Sequence, residues 1–201
     1  MAIKNLIKEN GDFFTLDLNN KEKRYWDPTR SKVCAALKKG LNFLPLKADS
    51  TILYLGAAEG YTCSYISDLA FQGIIFGVDF SAHSMQKFVL LCKERENLYP
   101  ILGDANKPED YKQLVDCKVD LIIQDVAQKN QIEILTKNAK EFLKPEGYVI
   151  LSLKTTAISQ RNTGVIIDEE IRKFEKEFTI VDKRRLDPFE KKHMIIVGKK
   201  K

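Results

Sequence analysis

An apolar segment, a turn of small residues and a helix-like pattern follow one another between residues 51 and 65. The run 52–55 is apolar and ends at a glycine, which predicts a buried strand. Gly56 and Gly60 frame the turn, and residues of a helix face then recur every four positions, at Tyr61, Tyr65 and Leu69. In α/β folds such a corner binds a nucleotide cofactor, because small residues let the ligand approach the backbone and the helix offers N–H groups. The G-x-x-x-G spacing is not the dinucleotide fingerprint, so a turn kept only for packing fits as well.

Strand-like and helix-like patterns alternate from residue 51 onwards. Strands are predicted at residues 51–55, 74–80, 98–102, 119–124 and 148–153. Amphipathic helical stripes lie between them, for example Met85, Phe88, Val89 and Cys92, and Ile132, Leu135, Ala139 and Phe142. This alternation predicts a parallel sheet with helices on both faces.

The last third of the chain modifies that pattern. A polar stretch at residues 155–164 predicts a loop, and the apolar stripe of Ile167, Ile171, Phe174 and Phe178 predicts a helix after it. Strands at 179–186 and 194–198, joined through Pro188, predict a closing hairpin. A parallel sheet that ends in an antiparallel hairpin fits a methyltransferase dependent on S-adenosyl-L-methionine (AdoMet) better than a six-stranded dinucleotide fold. The predicted fold class is therefore α/β, a Rossmann-like AdoMet-dependent methyltransferase fold. We expect a seven-stranded, mostly parallel sheet with an antiparallel last strand.

Two units are predicted along the chain, a small N-terminal β unit over residues 1–26 and a methyltransferase domain over residues 27–201. Strand-like pieces of the first unit lie at 3–7, 13–18 and 23–26. A unit of this size must pack against the larger domain to be stable. Asp27-Pro28 predicts the start of a helix, with a capping residue and then proline, and Lys32 falls in its first two turns.

Charged side chains stand where the predicted parallel strands end. Asp79, Asp104 and Asp125 follow three of the strands and Lys154 follows a fourth. Ligands of doubly wound sheets bind at these ends, and a carboxylate about 20 residues beyond the glycine turn can accept both ribose hydroxyls. Asp104 is placed to accept an adenine N–H, with the Ala105 N–H on a ring nitrogen. Both Asp79 and Asp104 also fit a helix-capping role.

The sequence excludes several other kinds of site. The phosphate-cradling motif G-x-x-x-x-G-K-[ST] is absent, so an adenosine cofactor without phosphates, S-adenosyl-L-methionine (AdoMet), fits better. No cysteine or histidine cluster has metal-ligand spacing, and we expect no metal. The 201 residues carry neither a secretory signal nor a membrane-length apolar run, so a cytoplasmic protein is expected. The net charge of +5 permits contact with a polyanion.

Six segments together resemble archaeal fibrillarins, the RNA ribose 2′-O-methyltransferases of box C/D guide particles. They are residues 26–32, 54–62, 64–68, 103–105, 124–128 and 151–154. The string Gln-Asp-Val-Ala-Gln at 124–128 is the most specific, and the resemblance extends over nearly the whole chain. This sequence departs from the family pattern at Glu59, usually serine, at Tyr61, usually threonine, and at Asp79, usually glutamate.

The resemblance implies a cofactor, a site and partners. It implies AdoMet contacts at Gly56, Tyr61, Thr62, Asp79, Phe80, Asp104, Ala105, Asp125, Val126, Ala127 and Gln128. It implies catalytic roles for Lys32, Asp125, Lys154 and His193. The implied partners are a guide RNA, a substrate RNA (rRNA or tRNA), a Nop-domain scaffold protein and a kink-turn-binding ribosomal-type protein.

The implied chemistry is an in-line attack of a ribose 2′-oxygen on an activated methyl group, so the enzyme aligns the reactants and removes a proton. Two roles for Lys154 stay open: a neutral lysine takes the proton, whereas a charged lysine orients the hydroxyl and stabilises the developing oxyanion. Two other functions also stay open. One is AdoMet-dependent methylation of a protein glutamine, and the other is a non-catalytic scaffold that retains the cofactor fold.

Overall fold

The computed structural model describes residues 3–154 and 163–201 of the chain. Its N-terminal strands are β1 (Leu6–Glu9), β2 (Asp12–Leu16) and β3 (Lys23–Tyr25). The larger part consists of α1 (Lys32–Lys38), β4 (Thr51–Leu55), α2 (Tyr61–Leu69), β5 (Ile74–Asp79), α3 (Ala82–Lys93), β6 (Leu98–Leu102), α4 (Pro108–Tyr111), β7 (Val119–Gln124), α5 (Gln131–Phe142), β8 (Leu143–Lys154), α6 (Thr163–Glu177), β9 (Phe178–Arg185) and β10 (His193–Lys200).

The central sheet has seven strands in the order β6-β5-β4-β7-β8-β10-β9. The strands from β6 to β8 pair in parallel. The final strand β10 lies between β8 and β9 and is antiparallel to both. The predicted fold class is therefore confirmed, including the antiparallel last strand. The strand order reverses beside β4, which places a ligand crevice at the carboxyl ends of β4 and β7.

Helices cover both faces of this sheet because side chains alternate along each strand. Ile52 and Tyr54 of β4 pack in one core with α1, α2 and α3. Leu53 and Leu55 point the other way, into a second core formed with α4, α5 and α6. Most residues of the predicted helical stripes are buried, although Val89 of α3 is 36% exposed and lies outside both cores.

The predicted start of the first helix is wrong. Helix α1 begins at Lys32, with Ser31 as its cap, and Asp27-Pro28 belong to a preceding turn. The Asp27 carboxylate accepts the backbone N–H of Thr29 at 2.8 Å and its hydroxyl at 2.7 Å, and these bonds lower the pKa of Asp27. A side chain that hydrogen-bonds its own neighbours in this way stabilises a turn rather than a helix.

Other boundaries differ less. Strand β8 begins at Leu143, five residues before the predicted start at 148, and β5 ends at Asp79. Residues 163 and 164, predicted as loop, belong to α6. The rest of the predicted loop, residues 155–162, lies outside the described part of the chain.

The three N-terminal strands form their own antiparallel sheet in the order β1-β2-β3. Asn10 and Gly11, with φ of 49° and 81°, form the turn between β1 and β2 that a right-handed hairpin twist favours. Phe13 and Trp26 of this region are buried in the core that contains α1 and α2. The small sheet is thus packed on the same side of the central sheet as these two helices.

Candidate functional site

The turn after β4 brings the backbone of two neighbouring strands into close approach. Gly56 has a φ of +83°, and a Cβ atom there would lie 2.3 Å from the backbone oxygen of Asp125. The backbone N–H groups of Gly56 and Ala57 both donate to Val78 O, at 2.9 and 3.0 Å. Only glycine combines this conformation with this contact, so the predicted small-residue turn has a steric cause.

The helix after this turn begins without a side-chain cap. Its N-cap is Gly60, with a φ of +84°, and among the described residues no side chain caps the first turn of α2. The first residues of α2 are Tyr61 and Thr62, both half-buried. The N–H groups of this first turn and the positive end of the helix dipole therefore remain to attract an anionic group.

Asp79 holds the site together from the end of β5. Its Oδ2 accepts the N–H of Ala58 at 2.8 Å, and its Oδ1 accepts the N–H of Ser81 at 2.9 Å. The carboxylate thus connects the glycine turn with the start of α3, and each oxygen retains a further lone pair. Phe80 beside it is 73% exposed.

Asp104 and Ala105 follow β6 at the same edge of the sheet. Asp104 Oδ1 accepts the backbone N–H of Asn106 at 2.9 Å, and this bond is the main cause of the lowered pKa of Asp104. Ala105 is 7% exposed. Asp104 does not cap α4, whose N-cap is Lys107. The capping role considered for Asp104 is therefore wrong, and its side chain stabilises the loop after β6.

The loop after β7 is attached to the loop after β6 by an asparagine that the sequence pattern did not reveal. Asn106 Nδ2 donates to Gln128 Oε1 at 2.9 Å, and Asn130 Nδ2 donates to Asn106 Oδ1 at 2.8 Å. Within residues 125–128, Asp125 N donates to Leu55 O, Val126 and Gln128 are half-buried and Ala127 is exposed. The spacing Asp104-x-Asn106, typical of a side-chain turn, is the only sequence signal for this contact.

Four candidate catalytic residues lie at the edge of the sheet where the parallel strands end, as two neighbouring pairs. Lys32 Nζ lies 2.9 Å from Asp125 Oδ2, and both side chains are 25% exposed. Lys154 is paired in register with His193, its neighbour on β10. By strand alternation Lys154 shares a sheet face with Ile150, which packs in the same core as α1. The sheet therefore brings all four residues to one edge and one face.

The ring of His193 has a defined orientation. His193 is 8% exposed, and its Nδ1 lies 2.9 Å from Lys191 O. Because a carbonyl oxygen only accepts, this contact places a proton on Nδ1. In the neutral imidazole Nε2 then carries the lone pair, which makes it the acceptor nitrogen.

Glu59 and Tyr61, two of the residues that depart from the family pattern, both contact neighbouring side chains. Glu59 is exposed and forms an ion pair with Lys87 at 2.5 Å. The guanidinium carbon of Arg30 lies 3.9 Å from the centroid of the Tyr61 ring, and the Tyr61 ring also contacts the ring of Tyr65. Both side chains contact groups of this chain.

A groove of about 1090 Å³ lies elsewhere on the molecule. It is bordered by Thr51, Asp120 and Tyr148, which stand in the first halves of β4, β7 and β8. Ligands of open α/β sheets bind at the opposite, carboxyl ends. The groove contains none of the predicted site residues. The residues at the carboxyl ends of the strands therefore remain the candidate site, despite the volume of this groove.

Metal and membrane features are absent from residues 3–154 and 163–201. No group of three or more His, Cys, Asp or Glu side chains in these ranges lies close enough to hold a metal ion. None of the helices described there combines the length and the apolar character that crossing a membrane requires.

Comparison with known proteins identifies the family. The fibrillarin family model matches residues 4–201. A fibrillarin-like rRNA/tRNA 2′-O-methyltransferase of Methanocaldococcus jannaschii is 43% identical, over 98% of this chain and 87% of the relative. A fibrillarin solved in complex with Nop5p has a TM-score of 0.93 at 36% identity and covers 100% of this chain and 99% of that one. Aeropyrum pernix fibrillarin, solved with natively bound AdoMet, has a TM-score of 0.84 at 33% identity over 98% and 99% of the two chains. The chain therefore belongs to the fibrillarin family.

Proposed function

We propose that this chain is an AdoMet-dependent 2′-O-methyltransferase of rRNA and tRNA. The observation that carries the proposal is the Lys32–Asp125 ion pair, beside the glycine turn and on the sheet face of Lys154 and His193. The family supports it, since the relative from Methanocaldococcus jannaschii is named for this activity.

The residues of the site fit AdoMet in chemistry. The uncapped start of α2, at Tyr61 and Thr62, suits the carboxylate of the methionine part. Asp79 would accept the ribose hydroxyls, and Asp104 with Ala105 would bind the adenine edge. Exposed Phe80 offers an apolar surface beside them. The loop of Asp125, Val126, Ala127 and Gln128 would complete the pocket.

Bound AdoMet supplies a methyl group already activated by the positive sulfonium. The residues of this chain then need to orient the 2′-hydroxyl and receive or stabilise its proton. The Lys32–Asp125 pair fixes both side chains at the edge of the site. Lys154 acts on the hydroxyl, either as the base or as the charged group that stabilises the oxyanion. His193 is the cross-strand neighbour of Lys154, and its Nδ1 lies 2.9 Å from Lys191 O.

Transfer of a radiolabelled methyl group tests the proposal. The chain is supplied with labelled AdoMet and with RNA, protein or both, in the presence of a guide RNA, a Nop-domain scaffold and a kink-turn-binding protein. Label in a ribose 2′-position supports the proposal. Label in a glutamine side chain would establish the protein-methylating alternative, and AdoMet binding without transfer would establish the scaffold alternative.

Asp104→Asn is expected to weaken AdoMet binding without unfolding the protein. Asparagine keeps the oxygen that accepts the Asn106 N–H, but it turns a donor toward the adenine amino group. We expect a loss of about 1–3 kcal/mol in binding, measured by calorimetry. The melting temperature of the apo protein should stay close to that of the wild type.

The exposed Asp110 in α4 provides the control, since Asp110→Asn should leave AdoMet affinity unchanged. If Asp104→Asn binds AdoMet normally but melts earlier, Asp104 serves the loop alone and its assignment as a ligand is wrong.

Site-specific methylation is expected to require partners. Basic groups that would suit RNA are partly engaged within the chain: Lys38 binds Asp12 and Gly11 O, and Arg184 binds Gly40 O. The remaining surface should bind RNA weakly and without sequence preference. We therefore expect the pure chain to bind AdoMet but not to methylate one chosen ribose.

Activity at one nucleotide should appear when the guide RNA, a kink-turn-binding protein and a Nop-domain scaffold are added. The fibrillarin solved with Nop5p supports the scaffold as a partner of this chain. Efficient methylation of a single ribose by the chain alone, at about 0.15 M salt, would contradict this prediction and indicate a stand-alone enzyme.

A further inference from the structure

We infer that Gln131 is a positioning residue for Lys154, an inference that rests on the proposed function. Strand β8 continues beyond the end of its parallel neighbour. The last pair between β7 and β8 is Gln124 with Leu151, whereas β8 extends to Lys154. On the β7 side, the backbone of Lys154 therefore needs a partner other than a strand.

A single side-chain amide provides that partner. Lys154 N donates to Gln131 Oε1 at 2.9 Å, and Gln131 Nε2 donates to Lys154 O at 3.0 Å. An amide group is suited to this role, because it carries a donor and an acceptor side by side, as a peptide does. Gln131 thus binds both backbone groups of Lys154, the residue that carries the candidate catalytic amine. We call these two hydrogen bonds the Gln131 clamp.

Gln131 is itself held in place. It is the first residue of α5 and is fully buried. Its backbone oxygen accepts Gln124 Nε2 at 2.7 Å, and Gln124 is also fully buried. The end of β7, the start of α5 and the end of β8 are therefore connected through two amides that have no access to solvent.

On the other side of β8, Lys154 faces His193 in register. Because the N–H and C=O of a strand residue point to the same side, both backbone groups of Lys154 bond Gln131 and neither bonds His193. At this residue α5 therefore supplies the hydrogen bonds, and β10 is only the adjacent strand. Since a displacement of about 1 Å can cost about 100-fold in rate, a clamp on the backbone of a reacting side chain affects catalysis even though Gln131 touches no substrate.

Gln131→Met tests the clamp, because methionine keeps the length of glutamine and removes both hydrogen bonds. In the assembled particle, single-turnover methyl transfer at saturating AdoMet and RNA should slow about 10- to 100-fold, while the Kd for AdoMet changes by less than about two-fold. Gln131→Glu retains an acceptor for Lys154 N–H and should fall between wild type and Gln131→Met.

Asn97 is the matched control. Its buried amide donates to the carbonyls of Ser67 and Ala70, near the start of β6 and away from the site. Asn97→Leu should lower the melting temperature but leave the transfer rate within about two-fold of wild type. An unchanged rate in Gln131→Met, or an equal loss in Asn97→Leu, would overturn the inference.

Hydrogen exchange separates this inference from the proposed function. In the apo protein, Gln131→Met should accelerate exchange of the Lys154 amide by at least about 10-fold relative to the Leu151 amide. An inactive wild-type particle would refute the proposed function, and exchange alone would then decide whether the clamp exists. Equal exchange at Lys154 in wild type and Gln131→Met would refute the clamp whatever the activity.

Discussion

Lys154→Ala is expected to slow methyl transfer in the assembled particle by at least about 100-fold, the lower range for a positioned acid or base. The reason is that Lys154 is the amine at the end of β8, at the sheet edge where Lys32 pairs with Asp125. AdoMet binding should persist, because none of the groups assigned to the cofactor is removed. Single-turnover transfer of labelled methyl, with AdoMet affinity measured in parallel, checks both statements.

Two further variants define the role. Lys154→Arg keeps the charge but has a planar fork that does not lose its proton, so a base role predicts no rescue. Near-normal transfer by the arginine variant would leave only the charge role. Lys112, an exposed lysine paired with Glu141 beside α4, is the control, and Lys112→Ala should transfer methyl at the wild-type rate. Normal transfer by Lys154→Ala would contradict both roles.

The strands and the longer helices could be predicted because the apolar residues whose spacing indicates each element are the same residues that pack it into the core. Residues 51–55, 98–102 and 119–124 are strands at the predicted bounds, since each is a short, largely apolar run that ends at a turn or loop. The start of α1 could not be predicted in the same way. The sequence Asp27-Pro28 is compatible with a helix start and with a turn. The hydrogen bonds from Thr29 to the Asp27 carboxylate stabilise the turn.

The site could be predicted in part. The carboxyl ends of parallel strands meet at one edge, so Asp79, Asp104 and Asp125 were recognisable from strand positions alone. Lys32 and His193 were not, because their contacts depend on how α1 and β10 pack, and only the family resemblance indicated them. Asn106 and Gln131 were missed for a related reason. Their amides bind groups far along the chain, and no local pattern marks such a contact.

A buried charge network that the sequence did not reveal attaches the N-terminal sheet to α2. Asp68 in α2 is fully buried and accepts hydrogen bonds from Arg24 and Arg95, each at 2.6 Å. Thr15 Oγ1 and the N–H of Leu18 also donate to its carboxylate. The Asp68 carboxylate therefore satisfies groups from the N-terminal region and from the segment after α3.

Asp68→Ala is expected to lower the free energy of unfolding by about 3–5 kcal/mol, the range for removing one partner of a buried ion pair. The loss is large because the fully buried Asp68 carboxylate pairs with two guanidinium groups, one of them on the 5% exposed Arg95. After its removal both arginines would keep only Asp17 as an acidic partner within the described part of the chain. A domain is stable by only about 5–15 kcal/mol, so the variant should be close to unfolding at elevated temperature. Urea titration followed by circular dichroism measures the difference.

Asp12, in the same small sheet, is the matched control, because its ion pair with Lys38 is partly exposed. Asp12→Ala should cost about 0–1 kcal/mol. Asp17 also belongs to this network, because its carboxylate pairs with Arg95 at 2.8 Å, and acid unfolding therefore gives a second test. Burial opposes the charge of Asp17, but the N–H groups of Asn19 and Asn20 and the nearby Arg95 lower its pKa below 3.8. Its contribution is then present above that value and is lost as the pH falls through the folded-state pKa. An Asp68→Ala variant no less stable than Asp12→Ala would show that the network contributes nothing to the attachment of the N-terminal sheet.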